Sequence, residues 1–147
     1  MTAKEIMKTD VLTVRPDMTV EDLGRFLMEN NISGAPVADE NGNLLGIVTE
    51  NDLISREKRL HIPTLLRIFD AYVALEPPSI IEKEIKKMAA INVIDICTRD
   101  VVTADEDTSV EDIATLMTEK RVHLVPIVKK GRIIGMVGRH EMLKTLS

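Results

Sequence analysis

The sequence predicts an α/β chain of the α+β kind. Two copies of a strand-helix-strand-strand-helix unit should pack together about a pseudo-twofold axis. Three observations lead there. The chain repeats itself: Val11–Glu40 set against Val101–Lys130 gives eight identical residues in thirty, where roughly two are expected from average residue usage. Within each copy a run with helical apolar spacing is followed, in the same order, by a hairpin pattern and a second helix. Each copy, at about 50 residues, is too small to bury a secure core alone, so the two should share one.

The elements follow in order. Val11–Val14 reads as a short extended piece ended by Pro16. Thr19-Val-Glu-Asp22 and Ser109-Val-Glu-Asp112 each set a hydroxyl three residues before a carboxylate, which resembles a capping box with Asp in place of Glu. Helical spacing continues through Val20, Leu23 and Leu27, and through Val110, Ile113, Leu116 and Met117. Ala35–Ala38, the turn residues Glu40-Asn-Gly42 and Leu44–Val48 then read as a hairpin, matched by Leu124–Val128, Lys130-Gly131 and Ile133–Val137. Here the offset between copies shifts from 90 to 89, aligning Gly42, Gly46 and Val48 with Gly131, Gly135 and Val137. A second helix closes each copy, from Asn51 to about Arg59 and from His140 to about Leu146. The organisation expected is a first repeat over 1–59, a linker over 60–92 and a second repeat over 93–147. In the linker, Ser79 and Glu82 form a capping box ahead of the apolar face Ile81, Ile85, Met88 and Ala89, and Leu65–Val73 forms a second apolar cluster. This segment reads either as packing over the repeats or a subunit interface, or as a flap that responds to ligand.

Composition excludes several classes of function. The chain is 44% hydrophobic, so it is not disordered. With Phe26, Phe69 and Tyr72 as its only aromatics it lacks a stacking platform for single-stranded nucleic acid. A net charge of -5 supplies no global attraction to DNA, RNA or an anionic membrane. The single Cys97 excludes an internal disulfide and a cysteine cluster for zinc. No signal peptide opens the chain, and the apolar stretch Ile62–Leu75 is too short and too interrupted to cross a bilayer. A cytoplasmic location is the expectation. Nothing suggests an enzyme: no Ser-His-acid arrangement is visible, His61, His123 and His140 lack metal-ligand spacing, and no Walker-type loop occurs.

The chemistry-bearing candidate is Gly46-Ile-Val-Thr-Glu-Asn-Asp52. A strand runs here into a helix starting near Asn51, and free N–H groups at a helix start attract phosphate. Asp52 could accept both hydroxyls of a ribose, Thr49 offers a rotatable donor, and Gly46 allows close backbone approach. Thr49 and Asp52 are equally spaced for a helix cap, so the spacing alone leaves both readings open. In the second copy the corresponding run is Gly135-Met-Val-Gly-Arg-His-Glu141. Gly138 has lost the hydroxyl and Glu141 replaces the Asp, so this site should be weaker or empty. Arg139 and His140 are either compensating phosphate contacts or residues that solvate a helix start.

The order of elements, the Ala-Pro-Val hairpin and the Gly46–Asp52 run resemble the CBS domain (cystathionine β-synthase domain), of which a tandem pair is called a Bateman module. The resemblance covers nearly the whole chain. It implies a non-catalytic regulatory module that binds AMP, ADP, ATP or S-adenosylmethionine between the repeats and pairs as a flat homodimer. The resemblance favours Thr49 and Asp52 as ligand contacts. By the same resemblance, backbone at Ile32, Ser33, Gly34 and at Val122, His123, Leu124 should hold the adenine, with His123 a candidate for phosphate. Met7 and Leu12, or Cys97 and Val102, should supply apolar walls. Arg56, Lys58 and Arg59 are further phosphate candidates, or ordinary surface charge. The regulated protein is unidentified, and the alternative is a structural dimerisation module without ligand.

Overall fold

The computed structural model describes the backbone of residues 1–59 and 91–146, and the side chains of 1–54 and 91–146. The Ser79–Glu82 cap, the Leu65–Val73 cluster and the side chains of Arg56, Lys58 and Arg59 lie outside the described residues. The first half comprises α1 (Ala3–Ile6), α2 (Val20–Glu29), β1 (Gly34–Ala38), β2 (Leu44–Thr49) and α3 (Glu50–Arg59). The second repeats the series as α4 (Val93–Ile96), α5 (Val110–Glu119), β3 (Leu124–Lys129), β4 (Arg132–Gly138) and α6 (Arg139–Leu143), with a closing 3-10 turn Lys144–Leu146.

Local chemistry sets the helix ends. The Asp22 N–H donates to Thr19 Oγ1 at 3.1 Å, and the Asp112 N–H donates to Ser109 Oγ at the same distance. Each hydroxyl thus satisfies one of the donors a helix start leaves without a partner. At the other end Asn31 (φ 52°) and Arg121 (φ 54°) turn left-handed. The N–H of Ile32 then reaches back to Leu27 O, and that of Val122 to Met117 O, both at 3.1 Å. This Schellman closure ends α2 and α5 and sends the chain into β1 and β3.

The hairpins are antiparallel, β1 on β2 and β3 on β4. In the second, Lys130 (φ 54°) and Gly131 (φ 79°) make the two-residue turn whose twist suits a hairpin. The extended piece before each helix contributes one bridging residue. Val14 donates its N–H to Pro36 O and its carbonyl accepts from Ala38 N–H, both at 3.0 Å, and Ala104 does the same with Pro126 and Val128 at 3.1 and 2.9 Å. A proline has no N–H with which to lengthen that ladder.

The cores do not follow the halves of the chain, because the short arms are exchanged. Ala3 and Ile6 of α1 are buried in a cluster with Val110, Ile113, Val125, Ile127 and Val137. Val93 of α4 is buried in the other, with Val14, Leu23, Leu27, Val37 and Val48. Backbone bonds fix each arm: Ala3 N–H to Thr108 O at 2.8 Å, Val93 N–H to Met18 O at 2.8 Å. Lys8 and Met136 exchange both of their N–H···O bonds at 2.9 Å, as do Ile47 and Thr98. This reciprocity is the pseudo-twofold relation. Near its axis the turns meet, Leu44 N–H on Gly131 O at 3.0 Å and Ile133 N–H on Gly42 O at 3.2 Å.

Candidate functional site

The exchange leaves a cleft on each side of the axis, walled by both halves. The first, about 250 Å³, is lined by Thr49, Glu50, Asn51 and Asp52 from the first half. Facing them from the second half are Val101, Val102, Val122, His123 and Leu124. The second, about 400 Å³, sets Gly138, Arg139, His140 and Glu141 against Leu12, Ile32, Ser33 and Gly34. Each helix-opening run therefore looks across at the strand edge of the other half, and Ser33, His123, Leu124 and Arg139 reach both clefts.

The helix start at Thr49 combines the two readings that spacing left open. Thr49 N–H donates to Asp52 Oδ2 at 2.8 Å, with Thr49 Oγ1 at 3.4 Å from the same oxygen. Asp52 therefore caps α3 with one oxygen, and Oδ1 accepts no bond from the described residues. The Thr49 hydroxyl is held loosely and remains able to turn to a ligand oxygen. In the second cleft Gly138 N–H donates to Glu141 Oε1 at 2.9 Å. The carboxylate keeps the capping role, while the hydroxyl has no counterpart.

Three residues expected at the ligand lie behind the clefts. Gly46 and Cys97 face each other: a Cβ on Gly46 would stand 2.7 Å from Cys97 Sγ and 2.8 Å from Thr98 O. Gly135 and Met7 are in the equivalent contact. Their close approach lets the exchanged arm lie against the sheet, so Gly46, Met7 and Cys97 serve packing there and line neither cleft. Burial pushes the Cys97 thiol above its ordinary pKa, against the pull of Arg99, and keeps it in the unreactive protonated form.

Sequence reasoning missed Lys8 and Asn31 in the second cleft, and Glu50, Thr98, Asp100 and Arg121 in the first. The left-handed Asn31 and Arg121 carried a faint signal, since Asn is a familiar residue after a helix end. Glu50 sits inside the Gly46–Asp52 run itself, and Lys8, Thr98 and Asp100 adjoin the clefts only through the arm exchange.

Two like halves, intertwined through their arms and enclosing a pair of clefts, define a tandem repeat module. A family model of the CBS domain matches residues 3–59 and 93–147, and the chain belongs to that family as a tandem pair. It is 31% identical over 155 residues to uncharacterized protein MJ1426 of Methanocaldococcus jannaschii, covering 99% of this chain and 91% of that protein. Its fold is similar to that of CBSX2 of Arabidopsis thaliana, solved in complex with AMP, with TM-score 0.75 and 24% identity over 99% of this chain and 95% of that one. It is also similar to the CBS domain pair of protein MJ0100 in complex with 5′-methylthioadenosine and S-adenosyl-L-methionine, with TM-score 0.72 and 22% identity over the whole of both chains. The chain spans only 24% of a matching homoserine O-acetyltransferase and 23% of an inosine-5′-monophosphate dehydrogenase. No described helix is long and apolar enough to cross a membrane.

Proposed function

We propose that the chain is a non-catalytic regulatory module that binds an adenosine-containing ligand, AMP, ADP, ATP or S-adenosylmethionine, in the clefts between its repeats. The carrying observation is Asp52: one oxygen caps α3 and the other accepts no bond from the described residues, beside a cleft walled by Val101, Val102 and Val122. A purine fits between aliphatic walls, its edge polar atoms on strand backbone, while the ribose hydroxyls donate to the carboxylate. The complexes of the two similar structures with AMP and with S-adenosylmethionine support this choice of ligand.

Because each cleft takes walls from both halves, a bound ligand favours one relative placement of the repeats over others. That difference in affinity is what signalling to a separate partner protein requires. We place the module in the cytoplasm as a homodimer. Exposed apolar side chains such as Met28 (82% exposed) and Leu146 (81%) support pairing. Ligand of any of the four kinds, well above micromolar, should raise the melting temperature. With one Tyr and no Trp, co-purified nucleotide would dominate the ultraviolet spectrum. No shift with any of the compounds would leave the structural dimerisation module as the reading.

A further inference from the structure

Matched position by position, the two clefts differ chiefly in charge. The first residue of the closing helix is Glu50 in one and Arg139 in the other, and the end of the exchanged arm is Thr98 in one and Lys8 in the other. The first cleft carries Glu50, Asp52 and Asp100 against Arg121 and Arg139. The second carries Lys8 and Arg139 against Glu141 alone, with His140 on its wall and His123 shared with the first. Even with Arg139 counted in both, the first is net acidic and the second net basic. Lys8, His123, Arg139 and His140 make no side-chain hydrogen bond or ion pair within the described residues.

We propose that the two clefts sort adenosine ligands by charge. The cleft around Glu141 takes the polyphosphate-bearing ligand, with Lys8, Arg139 and His140 on its phosphates. The cleft around Asp52 takes the phosphate-free ligand, above all one with a cationic centre such as the sulfonium of S-adenosylmethionine. This inference rests on the adenosine-binding reading above. Isolated exposed charges attract weakly, but these line one cleft from both halves, where the field is focused and several cations act on one polyanion. What the second cleft lacks at Gly138, a donor toward the ribose, is offset by charge toward the phosphates. In the first cleft the same phosphates would meet Glu50 and Asp100.

Calorimetric titration of the full chain with ATP, adenosine and S-adenosylmethionine, at low and high salt, tests the sorting. ATP binding should weaken with salt, while adenosine binding should not. Lys8→Thr with Arg139→Glu, which copies the first cleft into the second, should weaken ATP about 100-fold, tenfold per cation, and leave adenosine within about twofold. Glu50→Arg should let ATP into the first cleft as a second site. Asp52→Ala should remove S-adenosylmethionine and spare ATP; Glu141→Ala should do the reverse. ATP affinity unmoved by the double variant, or both ligands lost together on Asp52→Ala, overturns the sorting and leaves adenosine binding standing. If no adenosine compound binds the unaltered chain, the sorting falls with the reading beneath it.

Discussion

Where the first half of the chain places Thr49 and Asp52, the second places Gly138 and Glu141, on backbones that run the same course. Both carboxylates accept a helix-start N–H, at 2.8 and 2.9 Å. The structural task is thus conserved between the copies while the hydroxyl is not. Gly34, buried in the first half, stands where the second half has Leu124, and the Leu124 Cδ1 atom occupies the room a Cβ on Gly34 would need. Duplication gave two equal frames; substitution then made their contents unequal. Backbone capping and arm packing are common to both frames, whereas side chains lining the clefts differ.

The strongest way to break this comparison is Asp52→Ala. On the proposed reading, in which a charged acceptor serves the ribose hydroxyls, it should cost the first cleft roughly 100-fold or more in affinity for a phosphate-free adenosine ligand. Titration calorimetry reads it, and an unchanged affinity would place the ligand elsewhere. Next come the glycines behind the clefts. Gly46→Ala drives a methyl against the Thr98 carbonyl, which is fixed backbone, and should destabilise by about 1–3 kcal/mol. Gly135→Ala meets first the flexible Met7 side chain and should cost ~1 kcal/mol or less. Equal losses in melting temperature would mean that the two arms are held alike and would overturn this distinction.

Exchanging the hydroxyl sharpens the comparison further. Thr49→Gly should lose about 0.5–1.5 kcal/mol of ligand binding in the first cleft. Gly138→Thr should restore a similar amount in the second, the new Cβ fitting 3.0 Å from Leu124 Cδ2 if that side chain yields a little. Failure of both would reduce Thr49 to a cap.

The smallest effect lies in the hairpin turns. Asp39 accepts N–H bonds from Asn41 and Asn43 at 2.9 Å, and chiefly the Asn43 backbone N–H, then its side chain, hold its pKa below the usual 3.8. A lowered carboxylate stabilises the fold above its unfolded pKa and loses that contribution as pH falls through the folded value. The second turn has Lys129 in that place. Below about pH 4, amide exchange should therefore quicken at Asn41 and Asn43 and not at Lys130 and Gly131; equal quickening would show that Asp39 does not hold its turn.

Features that depend on near neighbours were legible in the sequence. Thr19 and Ser109 cap their helices as their spacing implied, and both hairpins turn at the glycines that mark them. The arm exchange was not, because Ala3 and Val93 share only apolar character while their partners, such as Thr108 for Ala3, lie a hundred residues away. That distance also explains the fate of Gly46. A glycine at a strand's inward position reads as room for a ligand until the arm carrying Cys97 is known to lie there. Lys8 and Asp100 were passed over for the same reason: each is unremarkable among its sequence neighbours and reaches a cleft only after the arms cross.

The crossed arms also govern how this unit can be moved between proteins. A cut between the repeats leaves one piece without Val93 in its core and the other without Ala3 and Ile6, so neither half is a portable part. A graft that is to stay folded must therefore carry both copies together.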